Sequence, residues 1–337
     1  MNVVDRLWFS DSVGARLSRV ALHPLELSYR GIVVLRNRMY DWGMLAVMPA
    51  PVPAISVGNL TVGGTGKTPV AAYFAQRLMA MGAKPAIVLR GYGDDEASVH
   101  AELNPGVDVI VQPDRVQGAR QARAAGADVV VMDDAFQHRR AGRLLDVVLI
   151  SAERFTVSPR LLPSGPWREG LSALRRASMV IVTRKSSSAA RAEDVAHVVA
   201  GIAGVPVATA ALEPAELIRR FDRSTQPISA LADRRVLLVA AVGNPWALAS
   251  QLQQAGLRVE LRAFRDHYAY SAGDIPGLVR DASTADAVVC TLKDVVKLDR
   301  LWPRSAPPLW YVSQRIVPEQ NAEHLDSALA RVVSART

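Results

Sequence analysis

Hydrophobic positions along the 337-residue chain fall into two regimes. Over the first 50 residues, Val13, Leu17 and Val20, and then Tyr29, Ile32, Leu35 and Met39, recur three or four positions apart, which predicts amphipathic helices. Arg6, Arg16, Arg19, Arg30, Arg36 and Arg38 punctuate this stretch, with Trp8, Phe9, Tyr40 and Trp42 between them and no lysine. The prolines of Met48-Pro-Ala-Pro-Val-Pro53 stop any helix. Beyond them, short apolar runs at 55–57, 86–89, 107–111, 127–132, 146–150 and 179–182 alternate with longer helical stretches. That alternation predicts an α/β fold, a mostly parallel sheet flanked by helices on both faces. A polar, proline-marked stretch at 213–235 reads as a linker. The alternation then restarts, with strands at 236–242, 287–290 and 308–312 and helices at 246–255 and 322–333. The expected organisation is therefore a helical, basic extension over 1–50, a core domain over 51–212, the linker, and a second, smaller α/β domain over 236–337.

Composition narrows the classes. Half the residues are hydrophobic and 21% are charged, so the chain can bury sizeable cores and is not disordered. One cysteine, Cys290, excludes an intrachain disulfide framework and any Cys-rich zinc module. No apolar run approaches the roughly 20 residues needed to span a bilayer. The opening MNVVDRLWFSDS lacks the basic, apolar and small-residue segments of a secretory signal. Lys and Arg number 40 against 32 acidic residues, a net charge of +8 that suits nucleic acid, an anionic membrane or a phosphorylated ligand. The positive charge is dispersed and no nucleic-acid-binding motif is present, so a nucleic-acid partner is not expected.

The chemistry concentrates first at Val57-Gly-Asn-Leu-Thr-Val-Gly-Gly-Thr-Gly-Lys-Thr-Pro69, a glycine-rich turn between a strand and a helix running to about residue 81. Glycines let backbone N–H groups close on phosphate oxygens at a helix N-terminus, so Thr61, Val62, Gly63, Gly64, Thr65, Gly66, Lys67 and Thr68 form the candidate nucleotide loop. Lys67 suits the β- and γ-phosphates, and the Thr68 hydroxyl suits Mg²⁺. Asp133 and Asp134 directly follow an apolar strand, where a P-loop protein keeps its metal carboxylate. These elements call for ATP or another nucleoside triphosphate with Mg²⁺ and leave open what is done with it. A switch ATPase or GTPase and a soluble small-molecule kinase share them.

Seven motifs in one order decide between these readings. Besides the loop they are Arg90-Gly-Tyr-Gly93, Asp133-Asp-Ala-Phe-Gln-His138, Leu162-Pro-Ser-Gly-Pro-Trp-Arg-Glu169, Gly243-Asn-Pro245, Phe264-Arg-Asp-His-Tyr268 and Thr291-Leu-Lys-Asp294. With them the chain resembles the tetraacyldisaccharide 4′-kinases of lipid A biosynthesis, whose loop also opens Asn-Leu-Ser/Thr where a P-loop consensus has glycine at the position of Thr61. The resemblance implies transfer of the ATP γ-phosphate to the 4′-hydroxyl of a tetraacylated disaccharide 1-phosphate. It also implies a base made of an aspartate after the Arg-Gly-Tyr-Gly segment and the histidine of Asp-His-Tyr. Matching the acidic pair places these roles on Asp95, with Asp94 its neighbouring alternative, and on His267, in domains expected to close on the substrate. Arg90, Arg115, Gln137, His138, Arg168 and Glu169 are the candidate substrate contacts. A four-chain lipid stays in its bilayer, so the resemblance implies a peripheral enzyme at the cytoplasmic face of the bacterial inner membrane. The basic, aromatic N-terminal segment is the candidate anchor to the anionic surface, and no obligate protein partner is expected.

Overall fold

The computed structural model describes residues 3–91, 94–266 and 268–336, and the chain forms two compact units. The first comprises Met1–Gly91, Asn104–Ala210 and Pro318–Thr337; the second comprises Tyr92–Leu103 and Ala211–Val317. In chain order, helices α1 (Val3–Phe9) and α2 (Val13–Asp41) precede strand β1 (Ala54–Asn59), helix α3 (Lys67–Ala80) and β2 (Pro85–Leu89). Helix α4 (Asp94–Leu103) falls in the second unit. The first unit resumes with β3 (Asp108–Val111), α5 (Arg115–Ala124), β4 (Val129–Asp133), β5 (Leu145–Ser151), β6 (Met179–Arg184) and α6 (Ala189–Ala203). Strand β7 (Val207–Ile218) starts in the first unit and ends in the second. There follow β8 (Thr225–Pro227), β9 (Arg235–Ala240), α7 (Pro245–Gln254), β10 (Arg258–Ala263), α8 (Ile275–Ala282), β11 (Ala287–Thr291) and α9 (Leu292–Leu298). Strand β12 (Leu309–Pro318) returns the chain to the first unit, where α10 (Glu323–Ser334) ends it.

In the first unit the strands run in the order β7-β6-β5-β1-β4-β2-β3. Every residue of β1, β2 and β4 is buried, which is why these segments read as continuous apolar runs rather than alternating ones. Strand β1 lies parallel between β4 and β5, with Val57 opposite both Asp133 and Val147. The carboxyl ends of β1 and β4 therefore emerge side by side, and the glycine-rich turn and the paired aspartates leave the sheet together. The order of strands reverses beside β1, the place where open α/β sheets hold ligands.

The second unit carries parallel strands in the order β10-β9-β11-β12, followed by β7, against which β8 runs antiparallel. Its outermost strand β10, Arg258-Val-Glu-Leu-Arg-Ala263, exposes alternate charged residues, as an edge strand must to discourage pairing with other chains. Three boundaries differ from the sequence reading. Helix α4 belongs to the second unit because Val99 is buried among Leu237, Val288, Val295 and Tyr311. The segment 213–235 is not a bare linker: it contains the end of β7, all of β8 and the buried side chains of Leu217 and Ile228. Helix α10 belongs to the first unit, where Asp326 pairs with Arg77 of α3 at 2.5 Å.

Candidate active site

The turn after β1 is built for close approach. Gly66 caps α3 in the left-handed region at φ 90°, a conformation that an L side chain would strain. Gly58 lies under Phe136, whose Cβ would stand 2.5 Å from a Cβ added there, so only glycine lets the β1 turn and the Asp133–Phe136 turn touch. Within the loop the Asn59 amide donates to Thr65 Oγ1 at 2.8 Å, and the Thr183 hydroxyl donates to the Thr65 carbonyl at 2.9 Å. Thr61 has a separate task. It bridges to Trp167, while the Val62 N–H donates to the Pro166 carbonyl at 2.7 Å and the Arg168 N–H to the Leu60 carbonyl at 2.7 Å. This short antiparallel pairing fixes Arg168 beside the phosphate loop and accounts for the missing first glycine.

The charges then assemble. Thr68 Oγ1 donates to Asp133 Oδ2 at 3.3 Å, and Lys67 Nζ lies 3.7 Å from Asp134 Oδ1. Arg168 grips Asp134 through both terminal nitrogens, at 2.8 and 3.1 Å, the two-pronged geometry specific to a guanidinium and a carboxylate. Asp134 adopts φ 51°, a left-handed conformation that aspartate tolerates better than most residues. Burial works against its ionisation, but Lys67 and Arg168 outweigh it and hold the carboxyl below the usual aspartate range. Arg115 is buried and donates to the Asp133 carbonyl at 3.0 Å, so it braces the turn that follows β4. The Gln137 amide donates to the Asn59 carbonyl at 2.9 Å and its Oε1 accepts from Arg168 at 3.3 Å. His138 is pushed below its ordinary pKa by burial and by the nearby Arg115, which favours the neutral imidazole.

Glu169 stands apart from this cluster. Its buried carboxylate accepts from Arg176 at 2.9 Å and from Asn37 of α2 at 2.7 Å, which ties α2 to this segment. Arg90 is exposed at the end of β2. Asp95 lies on α4 in the second unit, buried, with Lys297 Nζ at 2.9 Å. His267 and the side chain of Asp94 lie outside the described residues.

Two cations beside the loop escaped the sequence reading. Lys185 Nζ donates to the Gly64 carbonyl at 3.1 Å, and Arg154 stacks over Phe9 with a guanidinium nitrogen near Gly63. Glu153 sets the turn that carries Lys185, accepting from the Lys185, Ser186 and Ser187 N–H groups. Burial opposes its charge, but these N–H donors and the Ser151 hydroxyl prevail and bring its pKa down to about 2. A lysine at the carboxyl end of a predicted strand in the same sheet as the glycine-rich turn was the available signal.

Helix α2 reverses the usual amphipathic arrangement. Its inward face is polar: Arg19 donates to the carbonyls of Leu7 and Ser10 at 2.8 Å, Glu26 accepts the Leu161 N–H at 2.9 Å, and Tyr29 donates to the Arg168 carbonyl at 3.1 Å. Val13, Leu17 and Val20 are 74%, 65% and 71% exposed, and Leu27 and Leu35 continue the outward stripe. Tyr29, expected in one stripe with Ile32 and Leu35, turns inward while they point out. Among the described residues no helix is long and apolar enough to cross a membrane.

Comparison with known proteins identifies a family. Residues 18–107 and 93–334 match the model of the tetraacyldisaccharide-1-P 4′-kinases. The chain is 35% identical over 329 residues to a tetraacyldisaccharide 4′-kinase of Anaeromyxobacter sp. (strain K), covering 89% of this chain and 87% of that one. It is 34% identical to the corresponding protein of Syntrophus aciditrophicus (strain SB), covering 96% and 98%. Its fold is similar to that of Aquifex aeolicus LpxK crystallised with ATP, with a TM-score of 0.74, 27% identity and coverage of 94% and 99%.

Proposed function

We propose the following division of labour from the premise that the chain belongs to the tetraacyldisaccharide 4′-kinase family. It is an ATP-dependent kinase that phosphorylates tetraacyldisaccharide 1-phosphate to form lipid IVA. In this reading the loop from Thr61 to Thr68 cradles the ATP phosphates and Lys67 draws charge from the γ-phosphate as it transfers. The observation that carries the assignment is the chain of charges Lys67–Asp134–Arg168 next to the Thr68–Asp133 contact. Two of the cations around the loop are already matched to Asp134, so an incoming triphosphate competes for Lys67 and Arg168, and Asp134 holds both in place until it arrives.

The donor set also fits Mg²⁺. The Thr68 hydroxyl and the Asp133 carboxylate are hard oxygens within hydrogen-bond range of each other. Among the described residues no three His, Cys, Asp or Glu side chains form a cage, and Mg²⁺ commonly takes one or two protein oxygens together with nucleotide phosphates. Bound there, Mg²⁺ would neutralise charge on the β- and γ-phosphates. Asp95 is assigned the proton: as the 4′-oxygen bonds to the γ-phosphorus and the bond to ADP breaks, its carboxylate accepts the hydroxyl hydrogen.

Helix α2 supports peripheral attachment to the cytoplasmic face of the inner membrane. An apolar stripe directed outward, with Arg16 and Arg38 exposed on the same helix, matches an interfacial helix in contact with anionic headgroups. The inward face of this helix binds the backbone at Leu161 and Arg168, so the element assigned to the lipid surface also buttresses the arginine that grips Asp134. Phosphate transfer from labelled ATP to a tetraacyl disaccharide 1-phosphate, with and without Mg²⁺, tests the catalytic reading. Flotation with anionic vesicles tests the anchor. Leu17→Asp with Val20→Asp alters only exposed positions, and flotation equal to the unmodified protein would end that proposal.

A further inference from the structure

The mechanism assigned to Asp95 leaves a question: what keeps a buried carboxyl ionised and aimed. Asp95 is 7% exposed. A carboxyl taken that far out of water favours its protonated form unless an opposite charge lies close. Lys297 supplies that charge at 2.9 Å, and its own side chain is only 19% exposed. The same ammonium also donates to the Tyr268 carbonyl at 3.4 Å. Within the second unit one cation therefore ties α4, which carries Asp95, to the segment that runs through the Phe-Arg-Asp-His-Tyr motif.

Lys297 is itself held rigidly. It stands on the last turn of α9, whose first turn is locked by Asp294. This wholly buried carboxyl accepts the Thr291 hydroxyl at 2.6 Å, the Tyr270 hydroxyl at 3.0 Å and the Ala241 N–H at 3.1 Å. Phe264, Tyr268 and Tyr270 pack as a cluster with ring centroids 4.8 to 5.3 Å apart, and Tyr268 donates to Asp274 at 3.0 Å. Burial raises the Asp294 pKa above its ordinary value, although its hydrogen bonds and Lys297 work against the shift, and the direct contact of the Lys297 ammonium is with Asp95 at 2.9 Å. The Thr291-Leu-Lys-Asp294 motif thus acts as a helix cap that aims a lysine one turn further on.

We propose that Lys297 is the positioning residue for the catalytic aspartate: it holds Asp95 as a carboxylate, in one orientation, while its ammonium also reaches the Tyr268 carbonyl. The proposal rests on the assignment of Asp95 as the base. It separates Lys297 from the cations of the phosphate loop, because it acts on proton acceptance and not on nucleotide binding.

The sole natural cysteine is wholly buried, which makes a chemical test practicable. In full-length Lys297→Cys the introduced thiol stands at a partly exposed position while Cys290 is wholly buried, and 2-bromoethylamine, with incorporation at 297 checked by mass spectrometry, converts it to a side chain with an ammonium at nearly lysine's reach. The expected result is a fall in kcat of about 30- to 100-fold, with KM for ATP within about twofold, and recovery of most of the loss on aminoethylation. Lys297→Arg, which keeps the charge, should retain more activity than Lys297→Cys and guards against a variant that fails to fold. A kcat unchanged in Lys297→Cys, or a loss that aminoethylation does not restore in folded protein, overturns the proposal. Asp95→Asn separates the two levels. If it is inactive while Lys297→Cys is normal, only the role of Lys297 falls; if it retains full activity, the base assignment falls and this proposal with it.

Discussion

The phosphate loop in the first unit and the Asp95 cluster in the second solve opposite electrostatic problems. Around the loop, carboxylates stand among the cations: Asp134 pairs with both Lys67 and Arg168, and Glu153 organises the turn of Lys185; in the proposed reading an incoming triphosphate competes for them. At Asp95 a carboxyl is buried and Lys297 is paired with it. The first arrangement must be exchangeable, and the side chains of its carboxylate Asp134 and of Arg168 are 27% and 26% exposed, against 6% for Asp95. The second must be closed and fixed, and its supporting carboxylate Asp294 is wholly buried. Charge near a reacting group is therefore read by what it faces: a ligand that will displace the partner, or a side chain that must keep one.

Lys67→Ala is the harshest test of this contrast. Nothing else in the loop puts an ammonium at the start of α3, so kcat should fall by about 10³-fold or more. Binding of ATP, followed by fluorescence or calorimetry, should weaken as well, unlike in Lys297→Cys. If the two variants gave the same pattern, with nucleotide affinity preserved in both, the distinction between exchangeable and fixed pairs would fail.

Arg168→Lys should have the next largest effect. A lysine keeps the charge but not the two parallel hydrogen bonds to Asp134, so transfer should drop by about 10- to 100-fold. The loss should be visible with saturating ATP and lipid. Activity equal to the parent would mean that the fork geometry has no part in the reaction.

How far the sequence anticipated these two regions follows from the distances along the chain that each one spans. The strand, glycine turn and helix from Ala54 to Ala80 form because local rules converge: an apolar run, a left-handed Gly66 and a proline in the first helical turn. Asp133 and Asp134 follow from the same logic, since a parallel sheet delivers its strand ends to one edge. The Asp95 cluster has no such local grammar. Its partner Lys297 comes from a helix far along the chain, and only the packing of Val99 among Val295 and Leu298 reveals that α4 belongs there. A motif string does not say how its members divide: Arg168 pairs with Asp134 beside the loop, while its neighbour Glu169 points to Asn37 and Arg176. The polarity of α2 was read correctly as two faces, but periodicity cannot state which face turns inward, and here it is the polar one. Strand β10 was overlooked because an edge strand alternates charge with apolar residues instead of forming a run.

The smallest expected effect separates the two regions by their response to acid. Glu153 has a depressed pKa of about 2 against an ordinary value of 4.5, so its charged form stabilises the fold above about pH 4.5 and that contribution is lost as pH falls toward 2. Asp294 is raised above its ordinary 3.8 by burial, so the fold favours its neutral form, and that contribution is present in acid and lost as pH rises through the folded-state value. The destabilisation caused by Glu153→Gln should therefore be greatest near neutrality, about 1–2 kcal/mol after solvent screening, and shrink on acidification. That caused by Asp294→Asn should shrink in the other direction, as pH rises above 3.8. Thermal unfolding of both variants and the parent between pH 3 and 8, a range set about the ordinary carboxylate values of roughly 3.9 to 4.3, measures the two slopes. Equal signs would show that the buried carboxyl of the second unit is held as a charge after all, and Lys297 would then be shared between two carboxylates rather than committed to Asp95.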